Sequence, residues 1–157
     1  MKCLSLLALL LALFCAGPAL ADDSTNHECK YFSVTLPDDW KAVSEPKEHL
    51  ASGLVTAHFA RQNGTSAVLL MAGPAGGMDA KSIASTFAEQ YKAKKEPVES
   101  NGGYNFSFSQ QKIACQAWVA VQDDVFMFMT YMGNQRDGQL FVRKHVKSAD
   151  YGKLLPR

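Results

Sequence analysis

Hydrophobic and polar residues alternate along several short stretches of the chain, with the period of a β-strand that buries one face. In "CKYFSVTL" the side chains of Phe32, Val34 and Leu36 share one face, and Pro37 ends the stretch. "YNFSFS", residues 104–109, alternates in the same way, and "KIACQAWVAVQ" follows it. These patterns predict strands of a sheet.

A hairpin is predicted where two β-rich runs, residues 54–61 and 66–72, flank the dipeptide Asn63-Gly64. Asparagine and glycine tolerate the positive φ angles of a tight hairpin turn. The two runs are therefore expected to pair as antiparallel strands.

The segment "VFMFMTYM", residues 125–132, is apolar at both odd and even positions. A strand with one wet face alternates, whereas a strand covered on both faces does not need to. We therefore predict a central strand with packing on each side. Its methionines are interpreted as gap-filling core rather than as copper ligands; they are Met127, Met129 and Met132.

Two helices are predicted from a period of about four residues. Asp79 is placed to cap a helix over residues 80–95, and Pro97 follows its end. The core-facing positions of this helix are Ile83, Phe87 and Tyr91. A second, short helix is predicted over residues 138–147.

The resulting order is a strand, a hairpin, a helix, several strands and a helix. This order predicts an α+β domain with a mostly antiparallel, twisted sheet of about six to seven strands and two helices packed on it.

The first 21 residues have the pattern of a signal peptide. Lys2 precedes an apolar stretch shorter than the roughly 20 residues of a membrane-spanning helix, and "ALA" fits a cleavage site after Ala21. We expect a bacterial periplasmic or secreted protein with a single domain over residues 22–157 and no membrane insertion after cleavage. An uncleaved anchor is the alternative. Lipidation of Cys15 is disfavoured because Phe14 precedes it.

The balance of charges argues against a polyanionic partner. The formal charge of the chain is +1, and removal of Lys2 brings it to zero. A neutral domain with mixed charges lacks the basic footprint of proteins that bind nucleic acid or anionic membrane. The basic stretch "KAKK", residues 92–95, falls where the first helix should end, where cations favour the helix dipole. It is interpreted as a solvated helix end rather than as a binding patch.

Two cysteines, Cys29 and Cys115, remain after signal cleavage. An even pair in an oxidising compartment predicts a disulfide, which would contribute about 4 kcal/mol by closing a long loop. A redox or metal pair is the alternative. It is disfavoured because the sequence has no C-x-x-C motif and no histidine at ligand spacing beside either cysteine.

No recognised catalytic motif occurs in the sequence: there is no G-x-S-x-G, no H-E-x-x-H and no P-loop. The acidic pairs 38–39 and 123–124 are interpreted as turns, in which adjacent carboxylates point apart. We therefore expect no enzyme activity and no cofactor; an enzyme of unrecognised type is the less favoured alternative. Three weaker possibilities are a metal ion near Asp22, Asp23 and His27, a core role for His58, and an anion at "GPAGG" before the first helix.

The segment "FSVTLPDDW", residues 32–40, resembles the opening strand-Pro-x-x-Trp signature of the PsbP-like superfamily. That superfamily includes the photosystem II subunit PsbP, the Ran-binding Mog proteins and exported bacterial proteins of the DcrB type. "MDAKSIASTFAEQY" and "GQLFVRKHVKS" are similar to its first and closing helices. The resemblance implies a PsbP-like sandwich in which Trp40 caps the end of the core. A ligand-stacking role for Trp40 is the alternative.

The resemblance also implies a non-enzymatic role, although no binding residue is carried over with it. We expect an exported, non-catalytic binding or assembly module that acts on another envelope protein. The alternative is a periplasmic protein that binds a small ligand or a metal ion in a groove between sheet and helix.

Overall fold

The structure is a computed structural model that describes residues 26–156. The predicted signal peptide, its cleavage site, Asp22 and Asp23 lie outside the described residues. The strands are β1 (Asn26–Glu28), β2 (Ser33–Thr35), β3 (Trp40–His49), β4 (Leu54–Arg61), β5 (Ser66–Pro74), β6 (Val98–Ser100), β7 (Gly103–Gln110), β8 (Ile113–Gln122), β9 (Val125–Gly133) and β10 (Val146–Lys147). The helices are α1 (Ala80–Gln90) and α2 (Gln135–His145), and a 3₁₀ turn spans Gly152–Leu154.

Within this part of the chain, seven strands form one antiparallel sheet in the order β3-β4-β5-β9-β8-β7-β6. The strands β1, β2 and β10 form a separate three-stranded sheet. The predicted α+β class, the large antiparallel sheet and the two helices are confirmed. No helix among residues 26–156 combines the length and hydrophobicity needed to cross a bilayer.

Strand β9 is the central strand of the large sheet, between β5 and β8. Its side chains alternate between two separate hydrophobic clusters. Met127 and Met129 belong to one cluster, whereas Phe126 and Phe128 belong to the other. The predicted central strand, covered on both faces, is confirmed.

Each face of the large sheet carries its own hydrophobic layer. On the first face, here called the α1 face, helix α1 buries Ile83, Ala84, Phe87 and Ala88 against β7, β8 and β9. On the second, the α2 face, helix α2 packs on β5 and β9. The residues of β2 and β10 in the α2-face cluster, Val34 and Val146, are almost fully buried.

The helix ends follow their caps rather than the predicted bounds. The carboxylate of Asp79 accepts a hydrogen bond from the Ser82 N–H at 2.7 Å, which confirms the predicted N-cap. Helix α1 ends at Gln90 instead of residue 95, and Lys92 then adopts a φ of 54°. Helix α2 begins at Gln135, earlier than predicted, because the side chain of Asn134 caps it.

Tight turns organise the hairpins. The predicted hairpin at Asn63-Gly64 joins β4 to β5 through a connection of four residues, 62–65, and of that dipeptide only Gly64 has a positive φ, of 73°. The hairpins from β6 to β9 turn at residues 101–102, 111–112 and 123–124, where all six φ angles are positive. These turns match the twist of the adjoining strands, and they confirm the predicted turn at Asp123-Asp124.

The predicted disulfide is absent from the structure, because Cys29 and Cys115 are both free thiols. Cys29 packs against the α2-face cluster, and its thiol donates to the carbonyl oxygen of Phe32 at 3.2 Å. Cys115 is buried in the α1-face cluster. The sheet therefore separates the two sulfur atoms, which corrects the pairing inferred from cysteine number alone.

Candidate functional site

A groove with a volume of ≈ 790 Å³ runs along strand β7, between this strand and the segment that follows helix α1. We call it the α1–β7 groove. It is larger than two other cavities, of ≈ 180 and ≈ 140 Å³. The groove is lined by Tyr91, Lys92, Lys94, Lys95, Glu96, Val98, the β7 residues 105–109, Ala114, Cys115 and Gln135.

The floor of the groove is aromatic. Because side chains alternate along β7, Phe106 and Phe108 both point to the α1 face, where they are almost fully buried. The ring of Tyr91, just past the end of α1, lies 4.5 Å from the ring of Phe108 and is stacked with Phe128 at 5.9 Å. The groove therefore offers an apolar base with one phenol and one thiol.

Neither the phenol nor the thiol supplies negative charge near neutral pH. Burial raises the pKa of Tyr91 to about 12, and the nearby Cys115 sulfur contributes to this shift. Burial also raises the pKa of the Cys115 thiol. The formal charges on the groove therefore come from Lys92, Lys94, Lys95 and Glu96, which are all exposed.

The structure corrects the interpretation of the basic stretch at residues 92–95. Helix α1 has no basic residue in its last turn, because it ends at Gln90. Lys92, Lys94 and Lys95 lie beyond the helix and line the groove. Lys92 has a positive φ, so the chain turns away from the helix there and the three lysines do not continue it.

Trp40 lies at a different place, in the α2-face cluster. It is 7% exposed and stacks on Phe141, which confirms that it caps the core. Beside it, Arg61 donates from Nε and Nη2 to Asp39 Oδ2, at 3.0 and 2.9 Å, and from Nη1 to Asp137. These bonds raise the pKa of Arg61, mainly through Asp39. The hydrogen bonds of Arg61 connect β4 to the β2–β3 turn through Asp39 and to α2 through Asp137.

The cavity of ≈ 140 Å³ lies on the α2 face, next to Trp118. Gln139 donates to the Gln116 side chain at 2.8 Å, and Arg143 lines the same space. The indole nitrogen of Trp118 has no partner but is fully buried.

The histidines do not converge on a metal site. Among residues 26–156, no group of three or more His, Cys, Asp or Glu side chains is arranged to hold a metal ion. His27 Nδ1 lies 3.9 Å from a Glu45 oxygen, and the Nε2 atoms of His27, His49 and His58 are buried without a partner. Burial lowers the pKa of His58. The capping carboxylate of Asp79 occupies the start of α1.

No protein family model matches this chain, and no curated protein sequence matches it. Eight solved protein chains match its structure. One is a crystal structure from Bacteroides thetaiotaomicron VPI-5482, with a TM-score of 0.45 and 12% sequence identity. The match covers 75% of this chain and 45% of that chain, so this chain spans less than half of the length of that protein. The resemblance to the PsbP-like superfamily stays a prediction.

Proposed function

We propose that this protein is a non-catalytic binding module that holds a segment of another envelope protein in the α1–β7 groove. The observation that carries the proposal is the groove itself, with its aromatic floor, its lysine rim and its volume of ≈ 790 Å³. Export and an envelope location follow from the signal peptide pattern of residues 1–21.

The surface of the groove combines features of protein interfaces. Aromatic residues are enriched in the cores of such interfaces, and polar residues form the rim. Here Phe106, Phe108 and Tyr91 form the base, and exposed lysines surround it. Val98, at the rim, is 66% exposed. A partner that covered Val98 would remove apolar surface from water.

A second candidate function is binding of a small ligand in the same groove. The volume lies within the range of about 300–1,000 Å³ that is typical of ligand sites. The positive rim and the aromatic base favour an amphipathic molecule with a carboxylate or another anionic group. This candidate corresponds to the predicted groove between sheet and helix.

The test is affinity capture from the native cell envelope, with matched substitutions of two exposed apolar residues. Val98→Glu places a charge on the rim of the groove. Leu50→Glu, the control, changes a residue that is 91% exposed and does not line the groove. We expect capture of a partner by the wild type and by Leu50→Glu, and its loss in Val98→Glu. Equal capture by both variants would refute a role for the groove.

A parallel capture in the presence of a chelator, together with native mass spectrometry of the purified protein, tests the second candidate. A small molecule that co-purifies with the wild type but not with Val98→Glu would favour ligand binding. Loss of capture in the presence of the chelator would favour a metal-dependent interaction.

A further inference from the structure

Strand β7 has an open edge over half of its length. Strand β6 pairs with β7 only from Val98↔Asn105 to Ser100↔Gly103. The residues that precede Val98 do not pair with β7. Among the described residues, no strand pairs with this edge of β7 beyond Asn105. Ser107 and Ser109 lie on this part of β7 and are both exposed.

The adjoining turns fix which backbone groups face the open edge. In a two-residue hairpin the residues that flank the turn form a hydrogen-bonded pair, and the bonding direction alternates along the strand. The turn at 111–112 therefore directs the backbone of Phe106, Phe108 and Gln110 toward β8. The turn at 101–102 directs Gly103 and Asn105 toward β6. By the same alternation, Ser107 and Ser109 present their N–H and C=O groups outward.

The opposite edge of the sheet is built differently. Strand β3 contains Pro46, and its pairing with β4 shifts register between Ala42 and Ser44 and again between Ser44 and Lys47. Proline, bulges and charged side chains are devices that prevent an edge from pairing with another strand. Strand β7, "GYNFSFSQ", has no proline or charged residue and pairs with β8 without a register shift. Of these two edges, β7 is the one that lacks such devices.

The open edge coincides with the α1–β7 groove. A strand added beside Ser107 and Ser109 would point alternate side chains to the α1 face, where Tyr91 and Phe108 form the floor. The edge of the added strand that faces away from β7 would meet the rim formed by Lys92, Lys94 and Lys95. Glu96 is the one acidic residue in the lining of the groove.

We infer that the groove binds an extended peptide segment that carries carboxylate side chains, and that this segment pairs as an additional strand with β7. The inference rests on the proposed function. The backbone bonds supply affinity, the aromatic floor accepts alternate side chains, and the lysines select for acidic sequences. A second copy of this chain is the poorer occupant, because pairing of two β7 edges would bring the two lysine rims together.

The test uses short synthetic peptides in which valine alternates with glutamate, glutamine or lysine. We expect the glutamate peptide to bind on the order of tenfold more tightly than the glutamine peptide. The affinity should fall as salt is added, and the lysine peptide should not bind. In the complex, the amides of Ser107 and Ser109 should gain protection from hydrogen exchange, whereas those of Phe106 and Phe108 are protected already.

Matched variants separate the backbone from the side chains. Ser107→Pro removes an outward N–H at an edge position where proline is tolerated, and it should abolish binding. Ser107→Ala keeps the N–H and should bind as the wild type does. Lys94→Gln combined with Lys95→Gln should weaken binding severalfold, whereas Lys47→Gln, on the opposite edge, should not. The exchange measurement uses the wild-type protein, so it tests the pairing even if Ser107→Pro fails to fold.

Three outcomes would overturn the inference: no binding of any peptide, binding without protection of Ser107 and Ser109, or a dimer of this chain through the same edge. If capture from the envelope still depends on Val98 while the peptides fail, the groove binds a partner by another mode and only the strand-pairing inference falls. If capture is equally unaffected by Val98→Glu, the proposed function falls first.

Discussion

The indole ring of Trp40 lies stacked on the phenyl ring of Phe141, with centroids 4.1 Å apart and planes inclined by 17°. Trp40 is the first residue of β3 and Phe141 lies in α2. The contact therefore joins the edge of the large sheet to the helix that covers the α2 face. Phe59 extends the same cluster, 5.8 Å from Phe141.

The stacked pair should show measurable coupling. We expect Trp40→Ala to lower the free energy of unfolding by about 3–5 kcal/mol, because it removes a large buried ring. A double-mutant cycle of Trp40→Leu and Phe141→Leu, followed by urea denaturation, should give a coupling of about 0.5–1.5 kcal/mol. Additive effects of the two substitutions would contradict a specific ring interaction.

Gly103 should be intolerant of any side chain. A Cβ atom at this position would lie 2.4 Å from the Val119 carbonyl oxygen and 2.6 Å from Trp118 Cε2. We expect Gly103→Ala to destabilise the protein by about 1–3 kcal/mol. Gly152→Ala is the control, because a Cβ there meets nothing within 4 Å; it should change stability by no more than about 0.5 kcal/mol. Equal thermal midpoints would refute this packing.

The turn between β7 and β8 stores strain that substitution can remove. Gln111 and Lys112 have φ angles of 49° and 69°, a region that costs ordinary residues about 1–2 kcal/mol each. Replacing the pair by Asn-Gly should raise the free energy of unfolding by about 1 kcal/mol. The same replacement at Asp123-Asp124 should gain less, because the Asp124 carboxylate accepts from the Gly77 N–H at 2.8 Å. A larger gain at 123–124 would contradict this assignment.

Alkaline pH should destabilise the protein through Tyr91. An unfolded tyrosine ionises near pH 10, whereas the folded pKa of Tyr91 is raised to about 12. Above about pH 10 the unfolded state loses a proton that the folded state keeps, so stability falls by about 1.4 kcal/mol per pH unit until about pH 12. Burial of Tyr131 acts in the same direction. Urea midpoints of Tyr91→Phe, measured over this range, should fall less steeply than those of the wild type; identical slopes would count against it.

Treatment with a reductant should leave both cysteines unchanged, because Cys29 and Cys115 are already free thiols. Alkylation in denaturant without reductant, followed by mass spectrometry, should label both Cys29 and Cys115. In the native protein Cys29, which is only partly buried, should react before Cys115. Recovery of an unlabelled, cross-linked pair would show that the protein adopts a different arrangement of its first strands.

Local signals in the sequence predicted the elements that local physics determines. Asn63-Gly64 predicted the β4–β5 hairpin, in which Gly64 has the positive φ; Asp79 predicted the N-cap of α1; and the apolar run 125–132 predicted cover on both faces. Each of these predictions rests on neighbours within a few residues, and the structure confirms each one.

Signals that depend on distant parts of the chain were missed. Strand β3 escaped prediction because Pro46 and its bulges break the alternation. The number of cysteines carries no information about sheet faces, so it could not show that Cys29 and Cys115 lie on opposite sides. The groove was expected only in general terms, because its floor comes from β7 and its rim from a segment that leaves the helix at Lys92.

The alternation along β9 has a mechanical consequence. Met127 and Phe128 are adjacent in the chain but belong to opposite layers. The backbone of β9 therefore contributes side chains to both hydrophobic layers, and unfolding of this strand would disrupt both layers together. We therefore expect residues 26–156 to unfold in one cooperative step.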